Sequence, residues 1–124
     1  MYDKRKILIV DDVKSNIDLL KGVLESKFKL QAALNGIDAL KIAQMTEPDM
    51  ILLDVNMPGL DGYDVTDKLR NSIQTKEIPI IMITANNDTK DELECLKHGA
   101  TDFISKPINR ELLLLKIAKY IYED

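Results

Sequence analysis

Cysteine is nearly absent from this sequence, with Cys95 as its one representative. A lone cysteine cannot form a disulfide within the chain, and this favours a reducing compartment such as the cytoplasm. Because Leu93 and Leu96 lie close to it in the sequence, we expect Cys95 to pack as a small apolar residue. A reactive thiol is the alternative interpretation.

Long hydrophobic runs and an excess of basic residues are also missing. The apolar run after the N-terminal residues covers only positions 7–10, which is too short for a signal peptide or a membrane span. The 17 basic residues are outnumbered by 21 acidic ones, which gives a net charge of −4, and no basic stripe is present. We therefore expect neither a membrane nor a nucleic acid as a direct partner.

The chain has enough apolar residues to bury a core. Its 124 residues suit one compact domain, and a composition of 45% hydrophobic and 31% charged residues is not that of a disordered chain. We find no internal repeat, low-complexity segment or linker. We therefore expect residues 1–124 to form one domain, with no output domain inside this sequence.

Apolar runs and amphipathic stretches alternate along the whole chain. The predicted strands cover residues 6–10, 28–33, 49–54, 78–84 and 101–106. The predicted helices cover residues 13–27, 36–46, 62–72, 88–98 and 109–122. This repeated strand-helix order predicts an α/β domain, a parallel sheet with helices on both faces.

Helical spacing predicts which side chains face that core. The apolar stripes are Val13, Ile17, Leu20 and Leu24 in the first helix, Ile37, Leu40 and Ala43 in the second, and Leu113, Ile117 and Ile121 in the last. Leu112 and Leu115 lie off the last stripe. They are either partly buried edges or part of a patch for a partner or a second copy.

Polar side chains follow four of the predicted strands at the point where each strand ends. Three of these strands end in carboxylates or a hydroxyl, and the fourth runs into a lysine: Asp11, Asp12, Asp54, Thr84 and Lys106. The carboxyl ends of parallel strands share one edge of a sheet, where open α/β folds bind their ligands. Three acids, a hydroxyl and an ammonium at one edge predict a site for a cation and a phosphoryl group.

The acidic pair Asp11-Asp12 occupies the position where phosphate-binding folds of this class carry glycines or hydroxyls. Two carboxylates there would repel a bare phosphate but would bind a divalent cation such as Mg²⁺. The alternative is that one of them caps the helix that begins near residue 13, and one acid can do both.

Asp54 ends the most apolar strand and is the candidate nucleophile. A carboxylate beside a bound cation can accept a phosphoryl group, although an acid that merely ends a strand is common. Pro58, Gly59 and Gly62 predict a tight loop that turns the carbonyl of Asn56 toward the metal.

Thr84 and Lys106 are candidate donors to the oxygens of an acyl phosphate on Asp54. Taken singly, Thr84 is more often a strand-terminal residue and Lys106 more often a solvated lysine. Their placement at matching strand ends is what favours a shared site.

These motifs together resemble the receiver domain of two-component response regulators, the family that includes the chemotaxis single-domain regulator. The resemblance covers essentially the whole chain. It rests on Asp11-Asp12, Asp54 with the loop at 57–62, Thr84-Ala85 and Lys106-Pro107. It implies a flavodoxin-like, doubly wound fold with a five-stranded parallel sheet of order 2-1-3-4-5.

The resemblance also implies a role for each site residue. Asp54 would be the phosphoryl acceptor, and Asp12, Asp54 and the carbonyl of Asn56 would hold Mg²⁺, or Mn²⁺ in its place, with Asp11 acting through water. Thr84 would move toward the phosphoryl oxygens and Lys106 would pair with the acceptor.

Phe103 falls at the family's switch aromatic, where many members have a tyrosine, and the alternative is an ordinary core aromatic. Lys106-Pro107 resembles the family's cis peptide. Asn56 and Asn86 lie where the family tunes the lifetime of the phosphoryl group.

As a function, the resemblance implies a bacterial phosphorelay switch whose partner is a sensor histidine kinase or a phosphotransfer protein. Phosphorylation would change the surface made by the fourth helix, fifth strand and fifth helix, which is also the candidate homodimer surface. A phosphatase that acts on outside substrates is disfavoured, because Asn56 stands where such an enzyme needs a second aspartate. Two competing interpretations are a flavin-binding domain, which Asp11-Asp12 disfavours, and a scaffold that binds its partner without phosphorylation.

Overall fold

The computed structural model describes residues 4–85 and 89–121, which form strands and helices in strict alternation. The strands are β1 (Lys6–Val10), β2 (Lys29–Ala33), β3 (Met50–Asp54), β4 (Ile80–Thr84) and β5 (Asp102–Ser105). The helices are α1 (Lys14–Leu24), α2 (Gly36–Thr46), α3 (Gly62–Arg70), α4 (Thr89–Lys97) and α5 (Arg110–Tyr120). The predicted elements are all present; β1 and α2 have the predicted bounds, and the described ends of the others differ by at most three residues. Residues 88 and 122, where two predicted helices begin and end, lie outside the described residues.

All described strands pair in parallel, in the order β2-β1-β3-β4-β5, which confirms the predicted doubly wound sheet. β3 and β4 lie inside the sheet, and every residue of both strands is buried. Their unbroken apolar runs reflect burial on both faces of the sheet.

Two layers of side chains fill the space between the sheet and its helices. On one face, Leu8 and Leu53 of the sheet pack with Val65 of α3 and Cys95 of α4. On the other face, residues such as Ile9 pack with α1 and α5. Each fully buried branched side chain contributes about 1.5–3 kcal/mol, so these layers supply most of the driving force for folding. Cys95 is fully buried in this core, as predicted.

The predicted core stripe of α5 is confirmed, because Leu113, Ile117 and Ile121 are all buried. Leu112 is 44% exposed and Leu115 is 69% exposed, so both lie on the surface rather than at a buried edge. In α1 the stripe is buried except at Val13, which precedes the helix and is exposed.

The predicted stripe of α2 is wrong at Ile37, which is 57% exposed. Gly36 takes the inward position instead, and a Cβ there would lie 2.7 Å from Leu60 and 2.8 Å from Val65. Since each helical residue turns by about 100°, the next residue is carried away from the core. Ala39 and Ala43 then complete the buried face of α2.

Side-chain caps fix the starts of several helices. Asn35 accepts the N–H of Asp38 at the start of α2, and Asn109 accepts the N–H of Leu112 at the start of α5. Asp61 and Asp64 form a reciprocal capping box at the start of α3. Within the described residues, no helix combines the length and the apolar character needed to cross a bilayer.

Candidate functional site

The ends of four neighbouring strands bring the predicted side chains to one edge of the sheet. Asp11 and Asp12 follow β1, Asp54 ends β3, Thr84 ends β4, and Lys106 follows β5. Since β1, β3, β4 and β5 lie side by side in the sheet, residues far apart in the sequence become neighbours. The backbone N–H of Lys106 donates to the carbonyl of Thr84 at 2.8 Å, which joins two of these ends directly.

The three carboxylates form one cluster at this edge. One oxygen from each of Asp11, Asp12 and Asp54 lies within 4.8 Å of the other two. Asp11 is 2% exposed and Asp54 is 3% exposed, whereas Asp12 faces solvent. Carboxylate oxygens held this close are a donor set for a hard divalent cation, and Asp12 leaves the set open to solvent.

Asp11 is held in place by the residues that begin α1. Its Oδ1 accepts the N–H of Val13 at 2.9 Å, and its Oδ2 accepts the Nδ2 of Asn16 at 3.1 Å. The capping alternative is therefore correct in part. Asp11 accepts the backbone N–H of Val13, the residue just before α1, but Val13 itself is the N-cap of that helix. Asp11 is thus a fixed second carboxylate beside Asp54.

Lys106 is the cation of the site and is not a freely solvated lysine. Its Nζ lies 3.4 Å from Oδ1 of Asp54 and 3.9 Å from Oδ2 of Asp11. The Lys106–Pro107 peptide is cis, in agreement with the family pattern. One ammonium therefore faces two buried carboxylates.

Asp54 carries a buried oxygen that lacks a hydrogen-bond partner. Of the buried side-chain oxygens and nitrogens in the described residues, the Oδ1 of Asp54 is the one that has no hydrogen-bond partner. Burial raises the pKa of Asp54, and the nearby charge of Asp11 raises it further, while Lys106 and the N–H of Asn56 act in the opposite direction. A buried carboxylate oxygen that has an ion pair with Lys106 but no hydrogen bond is costly, so its presence at a strand end points to a functional constraint.

A small cavity of about 100 Å³ lies at the same edge of the sheet, where the residues that follow β3 meet the end of β4. It is lined by Val55, Asn56, Tyr63, Thr84, Ala85 and Asp91. The share of liquid volume of one water is about 30 Å³, so the cavity suits a few waters or one tetrahedral anion. Thr84, the predicted hydroxyl donor, is one of the residues that line this cavity, together with Val55 and Asn56, which follow Asp54. Asn86, the second residue predicted to tune the lifetime, lies outside the described residues.

The loop after Asp54 is as tight as its glycines and proline predict. Gly59 has a φ of +77°, a conformation that favours glycine, and the N–H of Gly62 donates to the carbonyl of Val55 at 2.9 Å. A Cβ at Gly62 would lie 2.6 Å from the carbonyl oxygen of Asp54. This contact fixes the start of α3 against the end of β3. The orientation of the Asn56 carbonyl toward a metal stays a prediction.

Phe103 lies apart from the carboxylate cluster. It is half-buried on β5 and packs against the core layer between the sheet and α3 and α4. This position suits both the core aromatic and the switch aromatic of the sequence prediction.

Sequence reasoning missed three contributors to the site. Asn16 orients Asp11, and its amide five residues after the aspartate was a usable signal. Tyr63 and Asp91 line the cavity, but their approach depends on how α3 and α4 pack, which the sequence pattern does not report.

Comparisons with known proteins show which family the chain resembles. The family model for the response regulator receiver domain matches residues 7–118. The response regulator PleD of Caulobacter vibrioides is 40% identical over 113 residues, which is 90% of this chain and 25% of PleD. The protein PilH of Pseudomonas aeruginosa is 35% identical over 113 residues, which is 90% of this chain and 93% of PilH. The chain thus spans a quarter of one relative and nearly all of the other.

Solved structures give the same result. The chemotaxis protein CheY4 of Vibrio cholerae has a TM-score of 0.88 and 32% identity, over 94% of this chain and 98% of that one. The receiver domain of the sensor histidine kinase PA1611 from Pseudomonas aeruginosa has a TM-score of 0.86 and 32% identity, over 94% and 96% of the two chains. That receiver domain was solved with a magnesium ion coordinated in its active site cleft.

Proposed function

The chain belongs to the response regulator receiver domain family, and on this premise we propose that Asp54 accepts a phosphoryl group from the phosphohistidine of a sensor histidine kinase or a phosphotransfer protein. Residues 1–124 make up one such domain, which acts in the cytoplasm. The observation that carries the proposal is the buried Oδ1 of Asp54, which has no hydrogen bond and lies 3.4 Å from the ammonium of Lys106, in a cluster with two further carboxylates.

The donor set of this chain fits Mg²⁺, or Mn²⁺ in its place. The three clustered carboxylates are hard oxygen ligands, and the PA1611 receiver domain holds magnesium in its active site cleft. Asp12, Asp54 and the carbonyl of Asn56 would hold the ion, with Asp11 acting through water. When bound, the ion would offset negative charge on the attacking and transferred oxygens.

The transfer itself is a displacement at phosphorus. A carboxylate oxygen of Asp54 forms a bond to phosphorus while the bond from phosphorus to the histidine nitrogen breaks. The electron pair stays on that nitrogen, and the leaving imidazole takes up a proton. Lys106, 3.4 Å from Asp54, offsets the charge that the carboxylate and the incoming phosphoryl oxygens bring together.

Thr84 donates a hydrogen bond to the phosphoryl group once that group is on Asp54. Its hydroxyl lies at the end of β4 and lines the cavity there, so it is placed to donate to a phosphoryl oxygen. The group is then lost when water attacks phosphorus, which releases inorganic phosphate and restores the carboxylate. Asn56 stands where a phosphatase of outside substrates would need a second aspartate as its general acid, so the chain stores a signal and does not turn over outside substrates.

The readout is a change in the surface formed by α4, β5 and α5, which we call the α4–β5–α5 face. Leu93 and Leu96 on α4 and Leu112 and Leu115 on α5 are all exposed. We expect movement of Thr84 and Phe103 to alter how this face binds a partner or a second copy of the chain. Light scattering with and without beryllofluoride, an analogue of the phosphoryl group, tests whether the face binds a second copy of the chain. An unchanged monomer mass would exclude such a dimer.

The acceptor assignment is tested with a small-molecule phosphodonor. Wild-type protein and Asp18→Asn, an exposed control acid on α1, should both take up one phosphoryl group when Mg²⁺ and the donor are added. Asp54→Asn should take up none, as judged by intact-protein mass. Undiminished uptake by Asp54→Asn would overturn the assignment.

A further inference from the structure

Lys116 contacts both the backbone and the ring of Phe103 from a different element. Its Nζ donates to the carbonyl oxygen of Phe103 at 2.8 Å and lies 5.2 Å from the centroid of the Phe103 ring. Lys116 belongs to α5, whereas the Phe103 ring packs in the core layer on the side of α3 and α4. At the edge strand β5, the lysine therefore contacts a side chain that packs on the opposite face of the sheet from α5.

A carboxylate and a hydroxyl hold the ammonium in this place. Oδ1 of Asp102 accepts the Nζ of Lys116 at 2.9 Å and the N–H of Phe103 at 2.8 Å. Oδ2 of Asp102 accepts the hydroxyl of Tyr120 at 3.0 Å. The side chains of Lys116 and Asp102 are only 21% and 16% exposed, so the pair is largely shielded from water.

The electrostatics agree with this geometry. Burial alone would raise the pKa of Asp102, but hydrogen bonds from Lys116, the Phe103 N–H and Tyr120 outweigh it and leave the pKa lowered. Asp102 thus remains a carboxylate at neutral pH and keeps the ammonium against Phe103.

The position of β5 in the sheet explains why this arrangement is available. β5 is the edge of the described sheet, with β4 on one side. Side chains therefore supply partners to the backbone of Phe103: the carboxylate of Asp102 accepts its N–H, and the ammonium of Lys116 donates to its carbonyl. Phe103 is thus held at its N–H, its carbonyl and the face of its ring.

We propose that Lys116 is the positioning residue for Phe103, and that through the ring it sets how readily the α4–β5–α5 face changes state. The second half of this inference rests on the proposed phosphoacceptor function. Phenylalanine has no hydroxyl, so its ring cannot be anchored by a hydrogen bond of its own. The attraction between an ammonium and the face of an aromatic ring supplies a directional anchor instead.

The chain offers a direct probe of the ring. It contains two phenylalanines, Phe28 and Phe103, so uniform labelling with 4-fluorophenylalanine gives two ¹⁹F signals. Phe28 is buried in the core layer on the side of α1 and α5, which makes it an internal reference. A Phe28→Leu variant assigns the signals.

The first comparison uses no phosphoryl analogue. Lys116→Met keeps the length of the side chain but removes its charge, and it should move the Phe103 signal while the Phe28 signal stays in place. Lys116→Arg should restore the wild-type position of the Phe103 signal. A Phe103 signal that does not move in Lys116→Met, or equal movement of both signals, would overturn the positioning role. If Lys116→Met does not fold, Lys116→Gln takes its place in the same comparison.

The second comparison titrates beryllofluoride with Mg²⁺ and follows the same signal. Because the ring is freed, Lys116→Met should reach half-saturation at a concentration roughly two- to fivefold lower than wild type, with Lys116→Arg near wild type. Equal half-saturation in all three proteins would overturn the link to switching. If the analogue does not bind wild type, the phosphoacceptor function fails, while the first comparison still decides whether Lys116 positions Phe103.

Discussion

At the scale of single residues, the chain buries two carboxylates, Asp11 and Asp54, at one edge of the sheet. Asp54 ends a strand that is buried throughout, and its Oδ1 finds no hydrogen-bond donor among the described residues. Asp11 adds a second buried carboxylate close by. Lys106 offsets part of this charge but also faces both acids at once. The proposed phosphoryl site is therefore expected to lower the stability of the fold.

Asp54→Asn should raise the stability of the protein. The substitution removes a buried charge of nearly the same shape and ends its repulsion with Asp11. A buried charge that Lys106 only partly offsets costs about 1–3 kcal/mol, so the free energy of unfolding should rise by an amount of that order when the charge is removed. Urea denaturation measures it, with Asp18→Asn on the exposed face of α1 as the control. A fall in stability for Asp54→Asn would contradict this view of the site.

Mg²⁺ should stabilise the wild-type protein, because a ligand that binds the folded state shifts the unfolding equilibrium. At about one hundred times its dissociation constant the gain is roughly 2.7 kcal/mol. Asp12→Asn removes one of the clustered carboxylates, and we expect it to weaken the rise in Tm, whereas Asp18→Asn should keep it. Equal shifts in all three proteins would show that the cation binds elsewhere.

At the scale of helices and strands, two glycines show how the site depends on close backbone contact. Gly62 begins α3 and Gly22 lies within α1. A Cβ at Gly62 would lie 2.6 Å from the Asp54 carbonyl oxygen and 2.7 Å from the Val55 Cα, while one at Gly22 would meet nothing within 4 Å.

Gly62→Ala should therefore destabilise the protein by about 1–3 kcal/mol, the usual cost of overpacking. Gly22→Ala is the matched control, and it should stabilise by about 0.5–1 kcal/mol because alanine favours the helix. Thermal or urea unfolding of both variants checks the pair. Equal stability of Gly62→Ala and Gly22→Ala would contradict the close packing of α3 against the end of β3.

His98, just after α4, links this helix to α3. Its Nδ1 lies 2.7 Å from Oδ1 of Asp67, and its ring lies 4.7 Å from that of Tyr63. The hydrogen bond to Asp67 raises the pKa of His98 above its ordinary value, burial opposes this, and the charges of Asp67, Glu94 and Asp61 add to it. Protonated His98 therefore favours the folded state.

This contribution should be fully present below the ordinary histidine pKa of 6.5 and should be lost as the pH rises through the higher pKa of the folded protein. His98→Gln should lack this pH dependence. The His98–Asp67 pair is partly exposed, so the wild-type protein should exceed His98→Gln in unfolding free energy by about 0.2–1 kcal/mol more at pH 6 than at pH 9. Urea denaturation of both proteins at the two pH values measures this difference. A wild-type advantage that grows with rising pH would contradict the sign.

The elements themselves were predictable, because their apolar patterns are local. β3 and β4 are unbroken apolar runs, and Leu113 and Ile117 follow helical spacing. The wrong prediction at Ile37 has a non-local cause: Leu60 and Val65 of other segments pack so closely on α2 that only glycine fits at the inward position 36, and Ile37 then faces solvent.

At the scale of the whole molecule, the order of the strands creates the site. Site residues as far apart in the sequence as Asp11 and Lys106 come together because β1, β3, β4 and β5 are adjacent in the sheet. The strand-end positions and the matching residue types were visible in the sequence, so the acids, Thr84 and Lys106 could be named in advance. The contact of Asn16 with Asp11 is local and could have been predicted as well. The contacts of Tyr63 and Lys116 could not, because they depend on the packing of one helix against another element.

Borohydride reduction tests the central claim most directly, since it converts an aspartyl phosphate to homoserine and marks the acceptor for peptide mass spectrometry. Wild-type protein treated with Mg²⁺ and a small-molecule phosphodonor should carry the mark at Asp54, with Asp11 and Asp12 unchanged. A mark at Asp11 or Asp12, or none on protein shown to be folded, would contradict the assignment of Asp54 as the phosphoryl acceptor.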